Sequence, residues 1–250
     1  MQLVASTIGT PLRTTYALIP GGGGDPWEWH RLVAELEARG QEAIAIRLPA
    51  EDESAGWSEY ADAVVEALSD RREVIVVGAS MGGFTAPIVC TRRPVALLVL
   101  LNAMIPVPGE TFAAWWSNTG SGAARREYHA SIGLAPTDAG DDAVIYYHDL
   151  PDDLRAEAQA RTWQDQSSTP LDEPWPLPAW PEVPTRVLAG RHDRMFPLEF
   201  QRRVARGRLG MAVDEIAGGH MLAMSNPREL ANRLETYRLG ADSERRDALP

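Results

Sequence analysis

Two alternating patterns of hydrophobic and polar positions fill the first hundred residues. Short apolar runs, rich in β-branched residues, predict strands at 14–20, 42–49, 73–80 and 95–103. Between them, apolar residues recur at helical spacing and predict helices over 27–40, 57–69 and 84–92. Strands that alternate with helices in this way form parallel sheets covered on both faces. The first half of the chain is therefore predicted to be a doubly wound α/β unit.

This alternation stops over residues 107–181, a segment rich in tryptophan and proline that shows no strand periodicity. A long segment of this kind between two strands is typical of a lid or cap over the working edge of a sheet. Afterwards the alternation resumes, with strands predicted at 184–190 and 211–218 and helices at 198–210 and 226–239. We expect one domain with three parts, namely a core (1–106 and 182–240), a helical cap (107–181) and a frayed charged tail (241–250).

Composition narrows the class of function. The net charge of −11 and the absence of a basic patch argue against nucleic acid as a partner. All 24 basic residues are arginine, so chemistry that needs a lysine, such as a Schiff base or a P-loop, is excluded. Neither a metal-ligand spacing nor a complete phosphate motif is present, which predicts no metal and no cofactor.

The sequence says less about the cellular location and the oligomeric state of the protein than about its chemistry. No signal peptide and no apolar run long enough to cross a membrane are found, so we expect a cytoplasmic protein without a membrane partner. The single cysteine, Cys90, is predicted to pack in the core as a small apolar side chain. A homodimer is an option that the sequence leaves open.

The stretch "VVGASMGGFTAP" (76–87) places Ser80 between a buried strand and the start of a helix. A G-x-S-x-G motif in that context is typical of a tight turn that exposes a nucleophilic serine. The following helix adds free backbone amides and a positive dipole end, which favour an oxyanion beside Ser80. The alternative is a structural serine in a glycine-rich connection.

A serine nucleophile needs a base and a group that orients the base. His220 lies in "EIAGGHMLAMSNP", in a loop after the last predicted strand, and is a better candidate than histidines 30, 129, 148 and 192. Asp193 follows the strand at 184–190 and could fix the tautomer of the imidazole. Its alternative role is to cap the helix that starts after Pro197. The order Ser80, Asp193, His220 is the one expected for this layout.

Four consecutive glycines at 21–24 follow the first strand in "LIPGGGGDPWEW". They could cradle a phosphate, but the full phosphate-binding motifs are missing. As an oxyanion loop they are more consistent, because glycine lets backbone amides approach a substrate oxygen. We predict that the backbone amides of Gly22 and Met81 form the oxyanion hole and that Gly21 and Gly23 contact substrate.

The tryptophans of the predicted cap are candidates for an apolar or aromatic substrate pocket. Trp115, Trp116 and Trp163 are predicted to line it. The alternative for each of them is packing of the cap onto the sheet.

Taken together, "PGGGGDPWEWHRL", "GASMGGF", "GRHDRMFP" and "GGHMLAMSNP" resemble the α/β-hydrolase superfamily over residues 14–239. The glycine loop followed by W-x-W is most similar to the plant methylesterase and hydroxynitrile lyase branch and its bacterial relatives. The resemblance implies an α/β-hydrolase fold with a helical cap, and serine hydrolase chemistry on the ester or related acyl bond of a small molecule.

Two positions depart from that family. Pro20 stands where the family usually has histidine, and Gly21 stands where the hydroxynitrile lyases place a catalytic threonine. Lyase activity also needs a cap lysine that this chain does not have, so hydrolysis is favoured. Two other functions stay open on the same scaffold, a small-molecule receptor and an enzyme of specialised metabolism that cleaves C–C bonds or acts without hydrolysis.

Overall fold

A single parallel sheet organises the chain. The computed structural model describes residues 13–135 and 142–247, so parts of the predicted core (1–12), cap (136–141) and tail (248–250) lie outside the described residues. In chain order the strands are β1 (Thr15–Ile19), β2 (Glu42–Ala45), β3 (Val74–Ala79), β4 (Leu97–Leu101), β5 (Thr185–Gly190) and β6 (Asp214–Ile216). Their spatial order is β2-β1-β3-β4-β5-β6, and every neighbouring pair is parallel. The predicted α/β class is confirmed.

The central strands are buried on both faces because helices cover each side. Along β1, Ala17 and Ile19 enter one apolar cluster, while Tyr16 and Leu18 enter the other. Successive strand residues point to opposite faces, so a run that is apolar throughout serves both clusters. This explains why "TYALI" shows no polar alternation.

Six helices and one short 3₁₀ turn flank the sheet. One face holds the 3₁₀ turn (Pro26–Trp29) with α1 (His30–Glu37), α10 (Leu222–Ser225) and α11 (Pro227–Asp247). The opposite face holds α2 (Trp57–Leu68), α3 (Gly82–Arg92) and α9 (Leu198–Leu209). The stop predicted at Gly210 is confirmed, because this glycine caps α9 with a left-handed φ of 67°.

Between β4 and β5 the described residues contain helices and loops but no strand. The helices are α4 (Phe112–Thr119), α5 (Ser121–Ser131), α6 (Asp142–Ile145), α7 (Asp152–Ala160) and α8 (Thr169–Asp172). Trp115 and Trp175 from this segment are buried, and the indole of Trp175 donates to the carbonyl of Phe84 in α3 at 2.9 Å. Aromatic packing therefore fixes the segment predicted as a cap against the sheet and its helices.

The strands predicted at 42–49 and 211–218 are shorter in the structure, at Glu42–Ala45 and Asp214–Ile216, and two helices also differ from their predicted bounds. The helix predicted over 27–40 starts as the 3₁₀ turn, because Asp25 caps that turn by accepting from the Trp27 amide at 2.8 Å. The helix predicted to end near Leu239 continues to Asp247, into the predicted tail. Ala241 is buried there and Arg238 pairs with Asp242 at 3.2 Å, so the extra turns are packed and not frayed.

Candidate active site

Ser80 occupies a strained turn between β3 and α3. Its φ is +49°, a left-handed value that is costly for any residue other than glycine. Three backbone hydrogen bonds hold the turn. The Ser80 amide donates to the Leu101 carbonyl at 3.2 Å, and its carbonyl accepts from Gly83 at 3.1 Å and Met104 at 2.8 Å. The serine side chain is therefore presented at the carboxyl edge of the sheet, beside the point where the chain reverses its direction of winding.

The glycines around Ser80 are required by close packing. A Cβ at Gly78 would lie 2.7 Å from the Ala86 Cβ, and one at Gly82 would lie 2.7 Å from the Pro20 carbonyl oxygen. At Gly83 it would lie only 1.9 Å from the Met104 carbonyl oxygen. The run G-A-S-M-G-G thus lets α3 approach the strands closely enough to form the turn.

His220 and Asp193 meet although they follow different strands. Nδ1 of His220 donates to Oδ2 of Asp193 at 2.9 Å, and both side chains are buried. The carboxylate Oδ1 also accepts from the backbone amides of Met195 at 2.8 Å and Phe196 at 2.9 Å. With the proton held on Nδ1, the imidazole keeps Nε2 as an acceptor for another proton.

Two buried amide side chains that the sequence did not single out support this pair. Asn102, at φ +45° after β4, donates from Nδ2 to the His220 carbonyl at 2.9 Å and accepts the Gly190 amide at 2.7 Å. Gln201 donates to Oδ2 of Asp193 at 3.2 Å. The sequence could have indicated the role of Asn102, because it follows a fully apolar strand directly. A polar side chain buried at such a position must find hydrogen-bond partners.

The glycine loop lies beside the serine. A Cβ at Gly21 would lie 3.0 Å from the Ser80 Cβ, so a side chain at this position would require Ser80 to shift by a few tenths of an ångström. The backbone amides of Gly22 and Met81 donate to no other residue in the described parts of the chain. The Gly23 amide instead donates to Oε1 of Gln166 at 3.1 Å, which ties the loop to the segment after α7.

A cavity of about 270 Å³ opens at this edge of the sheet. It brings together residues of the core and of the helical segment, and its lining consists of Gly21, Gly22, Glu28, Ser80, Asp142, Tyr146, Tyr147, Trp163, His220 and Met221. Of the predicted pocket residues, Gly21 and Trp163 lie in this lining. Ser80 and His220 share the cavity, while Asp193 stands behind the imidazole.

The structure does not bring Trp115, Trp116 or Gly23 into that lining. Trp115 is 0 % exposed and donates from its indole to the Ile105 carbonyl at 3.1 Å. Trp116 packs edge-on against Phe112 with ring centroids 5.8 Å apart. Both tryptophans follow the alternative noted from the sequence, in which the cap aromatics pack onto the core.

Two acidic side chains in the lining, Glu28 and Asp142, were also not predicted. Glu28 lies in "WEW" within the 3₁₀ turn, and burial raises the pKa of its carboxyl group to about 8, with Asp25 adding repulsion and the Gly21 amide opposing the shift. Burial likewise raises the pKa of Tyr146 to about 12. In the sequence, the only indication of this role for Glu28 is a single charged residue between two tryptophans. The same pattern is equally consistent with a glutamate on the surface.

Nothing in the described residues points to a metal centre or to a membrane span. No group of three or more histidine, cysteine, aspartate or glutamate side chains there could hold a metal ion. None of the described helices is both long enough and apolar enough to cross a bilayer.

Comparisons with known proteins concern the family and the fold of this chain. Residues 17–233 match the model of the alpha/beta hydrolase family. The chain is 28% identical to the esterase PIR7B of Oryza sativa subsp. japonica, over 91% of this chain and 96% of the relative. It is 27% identical to the probable esterase PIR7A of Oryza sativa subsp. indica, over 88% of this chain and 94% of the relative.

The fold is also similar to that of a pyrethroid hydrolase from Sphingobium faniae JZ-2. The TM-score is 0.68 at 22% sequence identity, over 90% of this chain and 97% of the other.

Proposed function

This chain belongs to the α/β-hydrolase family, and we propose that it is a serine esterase in which Ser80 attacks the ester carbonyl, His220 is the base and Asp193 orients it. The observation that carries the proposal is the shared cavity. Ser80 on its strained turn and the buried His220–Asp193 pair come from three different strand ends, yet the two reacting side chains line one small pocket.

The reaction follows from the proton positions. Nε2 of His220 accepts the Ser80 proton while Oγ attacks the carbonyl carbon, and the imidazolium is stabilised by Asp193. The imidazolium then returns the proton to the departing alcohol, which leaves an acyl-enzyme on Ser80. Water, deprotonated by the same imidazole, attacks the acyl carbon and releases the acid and free Ser80.

The oxyanion of each tetrahedral intermediate is assigned to the backbone amides of Gly22 and Met81. Both are free donors among the described residues, and Met81 lies directly before α3, whose dipole is positive at that end. Each donor is worth about 3 kcal/mol in the transition state. Pro20, which replaces the usual histidine, leaves this role to backbone groups alone.

The substrate we propose is a small ester. A cavity of about 270 Å³ is near the lower end of the range for small-molecule sites, and Tyr146, Tyr147 and Trp163 give it aromatic walls. The names of the rice relatives, an esterase and a probable esterase, support the same bond type. A cytoplasmic location and a homodimer stay predictions from the sequence.

Hydrolysis of short aryl esters tests the function. We expect turnover of p-nitrophenyl acetate by the native chain, and a loss of about a thousandfold or more in kcat for Ser80→Ala and for His220→Ala. Ser117→Ala, a change on α4 away from the cavity lining, serves as the control and keeps native turnover. Native turnover in Ser80→Ala would exclude the proposed nucleophile, and no ester turnover by the native chain would favour a receptor or a different reaction.

A further inference from the structure

Part of the cavity lining is acidic and aromatic. Glu28 and Asp142 supply two carboxyl groups, and Tyr147 and Trp163 supply nearly parallel rings with centroids 6.5 Å apart at 19°. The pKa of Tyr147 is raised mainly by burial, and the negative charges of Asp142 and Glu28 raise it further. These groups, the acidic–aromatic wall, therefore lie close together.

Glu28 has no cationic partner among the described residues, unlike its acidic neighbour. Asp25 pairs with Arg161 at 3.4 Å, and the Arg161 guanidinium lies 4.5 Å from the centroid of the Trp27 ring. Glu110, a glutamate that is more deeply buried than the half-buried Glu28, forms an ion pair with Arg208. A buried carboxyl group without such a partner is costly in its charged form, so its place in the cavity needs an explanation.

We propose that the acidic–aromatic wall binds an ammonium group of the substrate, so that the enzyme prefers small esters carrying a protonated or quaternary amine to neutral esters of the same shape. This specificity rests on the proposed esterase function. Carboxylates attract the cation by charge, and the faces of tyrosine and tryptophan attract it through the ring quadrupole. No arginine lines the cavity in the described part of the chain. The nearby Arg161 guanidinium, 5.8 Å from the centroid of the Trp163 ring, is paired with Asp25 at 3.4 Å, and this ion pair offsets its charge.

The protonation state of Glu28 responds to such a ligand. In the empty cavity the carboxyl group is mostly neutral at pH 7, because burial raises its pKa to about 8. A bound ammonium group stabilises the carboxylate, the carboxyl proton passes to solvent, and the two opposite charges pair. The bound ammonium group thus supplies the cationic partner that Glu28 lacks among the described residues.

An isosteric pair of esters tests this specificity. Acetylcholine and 3,3-dimethylbutyl acetate have the same shape, and only the first carries a positive charge. We expect kcat/KM of the native enzyme to favour acetylcholine by about tenfold or more. In Glu28→Gln the two values of kcat/KM differ by less than about threefold, mainly because the KM for acetylcholine is higher. Glu157→Gln, which removes an exposed charge from α7, keeps the native preference.

A binding measurement separates this proposal from the proposed function. Calorimetry on Ser80→Ala compares choline with 3,3-dimethyl-1-butanol, and we expect choline to bind at least about tenfold more tightly. The Ser80→Ala/Glu28→Gln double variant loses that difference. Equal binding of both alcohols, or a native preference that survives Glu28→Gln, overturns the cation site. Tight choline binding without turnover of any ester would contradict the esterase function alone and leave the cation site standing.

Discussion

Asp193 accepts a hydrogen bond from Nδ1 of His220 at 2.9 Å, and the two residues are 27 positions apart in the chain. Asp193 follows β5, and His220 follows β6, its hydrogen-bonded neighbour in the sheet. Because parallel strands end at the same edge, loops that are distant in sequence become adjacent there. The same edge holds Ser80 after β3 and the glycine loop after β1.

Asp193→Asn should remove catalysis while the fold is kept. An asparagine keeps an oxygen for the Met195 and Phe196 amides, but its amide side chain does not stabilise an imidazolium and favours the wrong imidazole tautomer. We expect kcat to fall by about a thousandfold or more, measured by steady-state hydrolysis of p-nitrophenyl acetate.

Asp153→Asn, an exposed change on α7, is the matched control and keeps native kcat. If Asp193→Asn retained more than about a tenth of the native kcat, another residue would have to orient the base.

Asn102→Ala tests the support beneath the histidine loop. The side chain bonds the carbonyls of Gly219 and His220 and accepts the Gly190 amide, so its loss leaves buried groups unpaired. We expect the free energy of unfolding to fall by about 3 kcal/mol, measured by urea titration, together with a lower kcat. The control Asn232→Ala removes an exposed asparagine on α11 and should change stability by no more than about 0.5 kcal/mol. An Asn102→Ala protein of native stability would contradict this role.

Ser80→Gly separates backbone strain from chemistry. The left-handed φ of +49° is unfavourable for serine and alanine but not for glycine. We therefore expect Ser80→Gly to be more stable than Ser80→Ala by about 1 kcal/mol, with both variants inactive. Thermal unfolding of the two variants side by side measures the difference. A glycine variant less stable than the alanine variant would mean that the turn is relaxed.

The stability of the protein should depend on Glu28 and on pH. In the folded state its pKa is about 8, against an ordinary value of 4.5, so only the unfolded chain loses this proton as pH rises from about 4.5. The free energy of unfolding therefore falls between those two values and stays lower above pH 8. Glu28→Gln removes the effect and should be more stable than the native chain at pH 8 by about 1–3 kcal/mol, with a smaller gain at pH 5.

Urea titrations at both pH values measure this gain, with Glu157→Gln as the reference for loss of an exposed charge. The same gain at pH 5 and pH 8 would show that Glu28 is not held neutral by the fold.

The positions of Ser80 and Asp193 could be predicted because each follows a largely apolar strand, and that of His220 because it lies in the loop between the last strand and the closing helix. Topology then determines where the three meet. The orientation of individual aromatic side chains could not be predicted from the sequence. Trp115 and Trp163 have the same residue type in the same segment, but one is buried against Phe196 while the other lines the cavity. That difference depends on packing between helices that are distant in sequence, and local patterns do not encode it.

Glu28 and Asn102 were missed for related reasons. A glutamate in an amphipathic segment usually faces water, and it faces the cavity here because the chain forms a 3₁₀ turn over Pro26–Trp29 before α1 begins. In the sequence, Asn102 is simply a polar residue at the end of an apolar run. Its role is visible only when the partners on β5 and in the His220 loop are in place.

Covalent labelling of Ser80 tests the nucleophile most directly. The native chain and Ser80→Ala are treated with a fluorophosphonate, and intact mass and peptide mapping locate the adduct. We expect one adduct on Ser80 of the native chain, concurrent loss of p-nitrophenyl acetate turnover, and no adduct on Ser80→Ala. A folded native chain that takes up no phosphonate at Ser80, or an Ser80→Ala protein labelled to the same extent, would contradict the proposed serine esterase.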